Sequence, residues 1–283
     1  MADLGTDTAV VGSDGRYSMR MSRDWEIWGP NGGYVASIAL RAAGAHSRFD
    51  RPASLVGHFL GVADFDNDVD LEVTTLREAK RAESIRVSMT QRGNPIFDAM
   101  VWAVGDVSGL EHDVLTMPDV PDPEGLQTVR ERLAAVGVTE PMFRFWNNFD
   151  ERPTSWLDDW ENRAPAPPVA EGWYRYVPQS TFENDAWLDA CRSVILLDTM
   201  GWPAVCRLHT HPEFMAPSID LSIGFHREVP SEPWLFVQAE APSANGGIIG
   251  CESRLWARGG TLLAVGASQL LCRPGQPFPP PTS

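Results

Sequence analysis

The stretch "PSIDLSIGFHR", Pro217 to Arg227, alternates without a break. Ile219, Leu221, Ile223 and Phe225 are apolar, and Ser218, Asp220, Ser222, Gly224 and His226 stand between them. Alternation of period two marks a strand with one buried face. The question it raises is what Asp220 does on the other face. A second strand of the same kind begins at Ser54, 164 residues before Ser218. What flanks each of these two strands decides the fold.

A helix precedes each. The first opens at "GPNGGYVASIALRAAGAHS", with Pro30 and Asn31 as start signals and Val35, Ile38, Ala39 and Ala42 at helical spacing. The second is "NDAWLDACRSVILLDTMGWP", with Asn184 or Asp185 as N-cap, an apolar set from Trp187 to Leu197, and Gly201 and Pro203 as its expected end.

Strands follow each helix. After the first they are expected near Ser54–Gly61, Val69–Leu76, Ser84–Arg92 and Pro95–Val104, and after the second near Ser218–His226, Trp234–Glu240, Gly247–Ala257 and Thr261–Cys272. At the offset of 164, "DLEV" (Asp70 to Val73) falls over "WLFV" (Trp234 to Val237). At 166, "QRGNPIFDAMVWA" falls over "ARGGTLLAVGASQ", with Arg92-Gly93 and Arg258-Gly259 as matching turns. Shared order and length point to an internal duplication. One long helix covered by an antiparallel sheet is the outline of a hot-dog unit, so the expectation is α+β, a double hot-dog of two tandem units. The units are expected at 12–108 and 141–273. Between them a linker at 109–140 holds a short amphipathic helix, Leu126 to Val136, and a Pro-rich tail occupies 274–283.

Bulk properties narrow the function. The 283 residues are 43% apolar with eleven Trp, and the net charge is −15. Such an acidic chain lacks the basic stripes that nucleic acid or an anionic membrane would require. The N-terminus has neither a basic n-region nor an apolar h-region, and no run of eighteen apolar residues occurs, so no secretion or membrane insertion is expected. Cys191, Cys206, Cys251 and Cys272 lack paired spacing, as reduced thiols of a cytoplasmic protein would.

The residues resemble the type II (TesB-like) acyl-CoA thioesterases over roughly residues 16 to 273. The resemblance rests on "PNGGYVASIAL", on "IDLSIGFHR" with Trp234 beyond it, and on "LLAVGASQLLCR". It implies hydrolysis of an acyl-CoA thioester by water without a covalent intermediate, the water held by an Asp, a Ser or Thr, and a Gln. Asp220 and Gln269 match the Asp and the Gln. The preferred register puts Ala241 or Pro242 where the family has Ser/Thr, with Ser243 close enough to substitute. The resemblance also leaves room for a homo-oligomer.

The chemistry of these residue types suits that reaction. An ionised carboxylate can accept a proton from water, and a Gln amide can orient water as both donor and acceptor. The amides of Gly32, Gly33 and Tyr34 at a helix N-terminus could receive an oxyanion; equally, the glycines could serve only close packing. In the duplication Val56 lies over Asp220 and His58 over Ser222, so one site per chain is expected. His58 could approach the acyl group or be a structural histidine, and Arg227 could meet a CoA phosphate or a surface acid. His209, His211 and Glu213 alternate as ligands on one strand face would, but no further Cys/His cluster accompanies them, so neither metal nor cofactor is expected. There is no Gly-x-Ser-x-Gly elbow. Two other functions stay open: a hot-dog hydratase or dehydratase, which would want His58 beside Asp220, and an acyl-thioester binding protein that has lost catalysis.

Overall fold

The computed structural model describes residues 3–156, 162–275 and 277. In chain order these form α1 (Leu4–Asp7), β1 (Val11–Ser13), β2 (Arg16–Met19), α2 (Gly32–His46), β3 (Arg51–Phe59), β4 (Val69–Glu78), β5 (Ala82–Gln91) and β6 (Asn94–Val104). Then come α3 (Val129–Ala135), β7 (Phe149–Pro153), β8 (Val169–Tyr176), α4 (Ala186–Thr199), α5 (Gly201–Leu208) and β9 (Phe214–Met215). The chain closes with β10 (Asp220–Phe225), β11 (Leu235–Asn245), β12 (Ile248–Ala257), β13 (Leu262–Leu271) and β14 (Arg273–Pro274). No helix among the described residues is long and apolar enough to cross a membrane.

Twelve strands make one antiparallel sheet in the order β1-β2-β4-β5-β6-β3-β10-β13-β12-β11-β8-β7. The two halves meet at β3 and β10, and each half covers its own helix, α2 or α4, as a double hot-dog does. Both helices are buried nearly all round: ten of the fifteen residues of α2 are buried, and of α4 only Ala186 is not. A helix enclosed by sheet and by its twin has little solvent stripe, so most of its side chains are apolar or small, and the charged Asp189, Arg192 and Asp198 of α4 are buried with partners.

The ladder between β3 and β10 is consistent with a duplication, as the repeated helix-and-strand order of the two halves is. His58 pairs with Asp220 and Val56 with Ser222, so each pair becomes the other when the halves are exchanged at the offset of 164. The exchange axis passes through Gly57 and Leu221, which pair with each other. Elsewhere the sequence offsets need correction. The ladders make Asp98 equivalent to Ala267, an offset of 169 rather than 166, and Asp70 equivalent to Gln238, 168 rather than 164. The hairpin explains the first of these. Arg92-Gly93 is a two-residue turn with both φ positive, as type I′ requires, whereas residues 258–261 form a longer loop with its positive φ at Gly260 and a bulge at Leu255/Trp256. An odd shift moves side chains to the opposite face, so Gln269 corresponds to exposed Met100 and not to buried Ala103.

Three further expectations change. α4 ends at Thr199, just before Gly201 as expected, but Gly201 and Pro203 then open a further helix, α5, where Pro203 stands in the first turn and its missing N–H costs nothing. His209 follows α5 and residues 209–213 are not a strand, so His209, His211 and Glu213 share no strand face. The linker is partly docked. Met117, Val120 and Leu126 pack on the aromatic cluster of Trp173, Trp234, Phe236 and Trp256, and Trp173 donates its indole N–H to the Pro121 carbonyl. The short helix is there as α3, closed by a Thr128/Glu131 capping box, with no buried residue. The tail expected at 274–283 lies mostly outside the described residues.

Candidate active site

Two groups of polar residues compete for the role of a site. The first is the set read from the sequence. The ladders place Ser243 beside Gly250, Gly250 beside Gln269, and His58 between Asp220 and Asp98. Asp220 and Gln269 are joined directly, because Asp220 Oδ1 accepts the Gln269 main-chain N–H at 2.7 Å. One row across the sheet therefore holds Ser243, Gln269, Asp220 and His58. The row lies on the face turned away from the helices: Ser243, Gln269 and His58 are exposed and Asp220 is half-buried.

Local structure explains the Asp220 contact. A bend at Ile219 interrupts β10, and the Ile219 carbonyl turns to Phe59 N–H. The Gln269 N–H would lack a ladder acceptor there, and the Asp220 carboxylate supplies one. Ser243 lies past a bulge that accommodates Pro242, which has no N–H to give. His58 and Asp220 are ladder partners, yet no hydrogen bond joins their side chains. The charged neighbour on the other side is Asp98. Burial alone would raise its carboxyl, but hydrogen bonds from Arg86 and Ser88 and the charges of Arg86 and His58 hold it below its usual range.

The second group was not singled out from the sequence. A cavity of about 590 Å³ opens between the N-terminus of α2, the C-terminus of α4, and the ends of β3 and β10. Its wall is mostly aromatic and aliphatic, with Trp28, Phe59, Phe143, Trp146 and Trp202 among the large side chains. Asp198, near the end of α4, is the carboxyl in that wall at the α2 N-terminus. Its Oδ2 accepts the Gly33 N–H at 2.7 Å and its Oδ1 accepts the Ser218 hydroxyl at 2.8 Å. Burial pushes its pKa up to about 6, against the lowering effect of those two donors. Asn31, the N-cap of α2, ties the two helix ends together by donating to Thr199 Oγ1 at 3.0 Å.

Helix contact makes this possible. α2 and α4 run antiparallel and touch closely: a Cβ on Gly33 would stand 2.6 Å from Ile195 Cα, so only glycine fits. The glycine pair thus serves helix-on-helix packing. It also corrects the expected oxyanion donors. Gly33 N–H is taken by Asp198, and Tyr34 N–H by the Asn31 side chain at 2.9 Å. The Gly32 N–H, the first of α2, has no acceptor among the described residues, and Gly32 lines the cavity. Tyr34 itself points into the core, stacked on Trp25 at 5.4 Å.

The exchange of halves carries this arrangement to the N-terminus of α4, and there it is filled. Matching the N-caps Asn31 and Asp185 places Trp187 over Gly33 and Gly44 over Asp198. Trp187 packs against Gly44 so tightly that a Cβ there would lie 2.6 Å from the indole ring. The corresponding space, lined by Pro52, Ala186, Asp189 and Phe225, measures only about 20 Å³. One end of the pseudo-symmetric pair is open, with Asp198 in its wall; at the other, Trp187 packs on Gly44 and the space is small. A single site per chain was expected because Val56 replaces Asp220, but the asymmetry of the cavity arises from Trp187 and Gly44.

Asp198 had a readable signal. It follows Val194 and Ile195 by four and three residues, so it sits on their buried helical face. An acid on the apolar face of a core helix needs partners. Cys206, also in the cavity wall, has its thiol pushed up to about 12 by burial. No group of three or more metal-ligating side chains occurs among the described residues.

Comparison with known proteins completes the description. The sequence model of the acyl-CoA thioesterase N-terminal domain matches residues 21–104, and that of the C-terminal domain matches residues 115–272. Acyl-CoA thioesterase 2 of Haemophilus influenzae is 26% identical over 253 residues, which cover 86% of this chain and 87% of that protein. Among solved structures, a hot-dog protein from Alicyclobacillus acidocaldarius superposes with a TM-score of 0.80 at 18% identity, over 95% of this chain and 97% of that one. The acyl-CoA thioesterase II of Mycobacterium marinum superposes with a TM-score of 0.75 at 22% identity, covering 98% and 99%. Both structures share the fold.

Proposed function

The chain belongs to the acyl-CoA thioesterase family and is a thioester hydrolase, and from that premise we propose that it hydrolyses acyl-CoA with a water molecule held at Asp198. The acyl group lies in the apolar cavity and the thioester carbonyl meets the N-terminus of α2. Asp198 accepts a proton as the water oxygen attacks the carbonyl carbon. The developing oxyanion is received by the Gly32 N–H and the positive end of the α2 dipole. The C–S bond then breaks, and CoA departs as a thiolate, which a thiol of pKa ~8.5 allows without prior protonation. Gly33 N–H and Ser218 hydroxyl each bond one carboxylate oxygen, fixing the base while leaving lone pairs for water.

The observation that carries this reading is the carboxyl of Asp198 in the cavity wall at the α2 N-terminus, with a pKa of about 6 suited to proton transfer near neutrality. Direct attack by water is favoured over a covalent route. The cavity thiol of Cys206 stays protonated, and the Ser218 hydroxyl donates to a carboxylate with no histidine beside it in the cavity wall.

A second reading keeps the water at Asp220 and Gln269. Its support is the 2.7 Å bond between them and their position in one row with Ser243 and His58. None of Asp220, Gln269, Ser243 and His58 lines the cavity of about 590 Å³. The hydratase alternative would use the His58–Asp220 pair on that same outer face. A thiol-release assay over acyl-CoAs of several chain lengths separates the readings. Asp198→Asn abolishing release with Asp220→Ala active supports the first, the reverse supports the second, and no release by the wild type rejects both.

A further inference from the structure

The reaction scheme leaves one carboxyl of the cavity unused. Glu151 lies on the edge strand β7 and contributes to the cavity wall. Its Oε1 accepts the Tyr174 hydroxyl at 2.8 Å, and Tyr174 is buried. No cation pairs with Glu151 among the described residues. Its neighbour Arg152 bonds Asp150 and reaches the carbonyls of Pro123 and Leu126. Glu151 is thus half-buried in the cavity wall and receives one neutral donor, the Tyr174 hydroxyl. Burial pushes its pKa up to about 7.

A carboxyl in such a place is costly unless something bonds it. A wall that only had to hold a hydrocarbon chain would be better built from Leu or Phe, as its neighbours Phe143 and Trp146 are. We infer that Glu151 and Tyr174 form a docking point for a hydroxyl on the acyl group, and that the substrates are acyl-CoAs hydroxylated far from the thioester. The hydroxyl donates to the Glu151 carboxylate and accepts nothing that Tyr174 must give up. Placement supports remoteness: Glu151 stands on the edge strand β7, five strands from β10 in the sheet order, whereas Asp198 and Ser218 stand at the α2 N-terminus beside the start of β10. A hydroxyl close to the carbonyl would stay at the Asp198 end.

This inference rests on the cavity being the acyl site of a thioesterase. The test is thiol release from acyl-CoAs of one chain length, unsubstituted or carrying a hydroxyl at successive positions from carbon 3 to the terminus. The wild type is expected to show a kcat/KM at least ten-fold higher for one remote position than for the unsubstituted chain. Glu151→Leu should abolish that advantage while raising turnover of the unsubstituted chain, and Tyr174→Phe should reduce it partly. A wild type that treats all positions alike overturns the inference, as does an advantage that survives Glu151→Leu. If the wild type releases thiol from none, the thioesterase reading fails separately. Binding of non-hydrolysable thioether analogues then decides the hydroxyl question by the same ten-fold ratio, its absence overturning the inference. If Glu151→Leu fails to fold by near-UV circular dichroism, Tyr174→Phe and Glu151→Gln carry the comparison.

Discussion

Asp198 accepts the main-chain N–H of Gly33 at 2.7 Å, which joins a carboxyl near the end of one central helix to the first turn of the other. The two residues are 165 positions apart in the chain. Their meeting defines the open end of the cavity, and most of the tests below act on it.

Asp198→Asn keeps the shape and both hydrogen bonds, since the amide can accept from Gly33 and donate to Ser218. It removes the base. The expected loss in kcat/KM is about 10²- to 10⁴-fold, measured by thiol release. In the wild type, kcat/KM should fall about tenfold per unit below pH 6, because only the ionised carboxylate accepts a proton. A flat profile from pH 5 to 8 would argue against Asp198.

The same substitution should stabilise the fold at neutral pH. The folded carboxyl has a pKa near 6 against 3.8 unfolded, so the folded state binds more protons between those values. Stability from this group is highest below about pH 4, declines as pH rises through the window, and by pH 7 is lower by about 3 kcal/mol. Urea melts of wild type and Asp198→Asn at pH 4.5 and 7.5 should show the variant gaining relative stability at the higher pH.

Ser218→Ala separates water attack from an acyl-enzyme. If Ser218 only orients Asp198, the loss should be about ten- to one-hundred-fold, the value of a hydrogen bond to a charged group. A nucleophile would lose far more. Mass spectrometry of enzyme quenched during turnover should find no acyl adduct on Ser218 or Cys206.

Asp220→Ala removes the acceptor of the Gln269 N–H. Stability should drop by about 1–3 kcal/mol, while kcat stays within a few-fold of wild type. Loss of turnover with an unchanged melting profile would return the chemistry to the outer face.

Gly33→Ala forces a Cβ to within 2.6 Å of Ile195 Cα and 2.9 Å of the Val194 carbonyl. Backbone cannot rotate away as a side-chain tip can, so about 1–3 kcal/mol of stability should be lost. Both melting temperature and activity should fall, because the shift separates α2 from Asp198.

Much of the fold was legible along the chain. The two central helices carried helical spacing and true caps, Asn31 and Asp185, within a residue of their observed starts. The strands of both halves alternated, and β3 and β10 do lie side by side in the sheet. The offset of 166 failed because an extra-long hairpin at 258–261 and its bulge change register by an odd number, which periodicity cannot register. The site was less legible. Asp220 and Gln269 drew notice as motif residues, and they do meet, but on the outer face. Asp198 sits in the apolar run "VILLDTM", where an acid looks like a minor interruption of a helix.

The sequence by itself determined the two helix-and-sheet units, their duplication and their order, because these arise from patterns repeating within a few residues. Tertiary structure alone decided which carboxyl faces a cavity. The open end depends on Gly33 meeting Asp198, and the closed end on Trp187 packing against Gly44. Both contacts join the two halves of the chain across the pseudo-twofold axis, and no local pattern encodes a distance between residues so far apart.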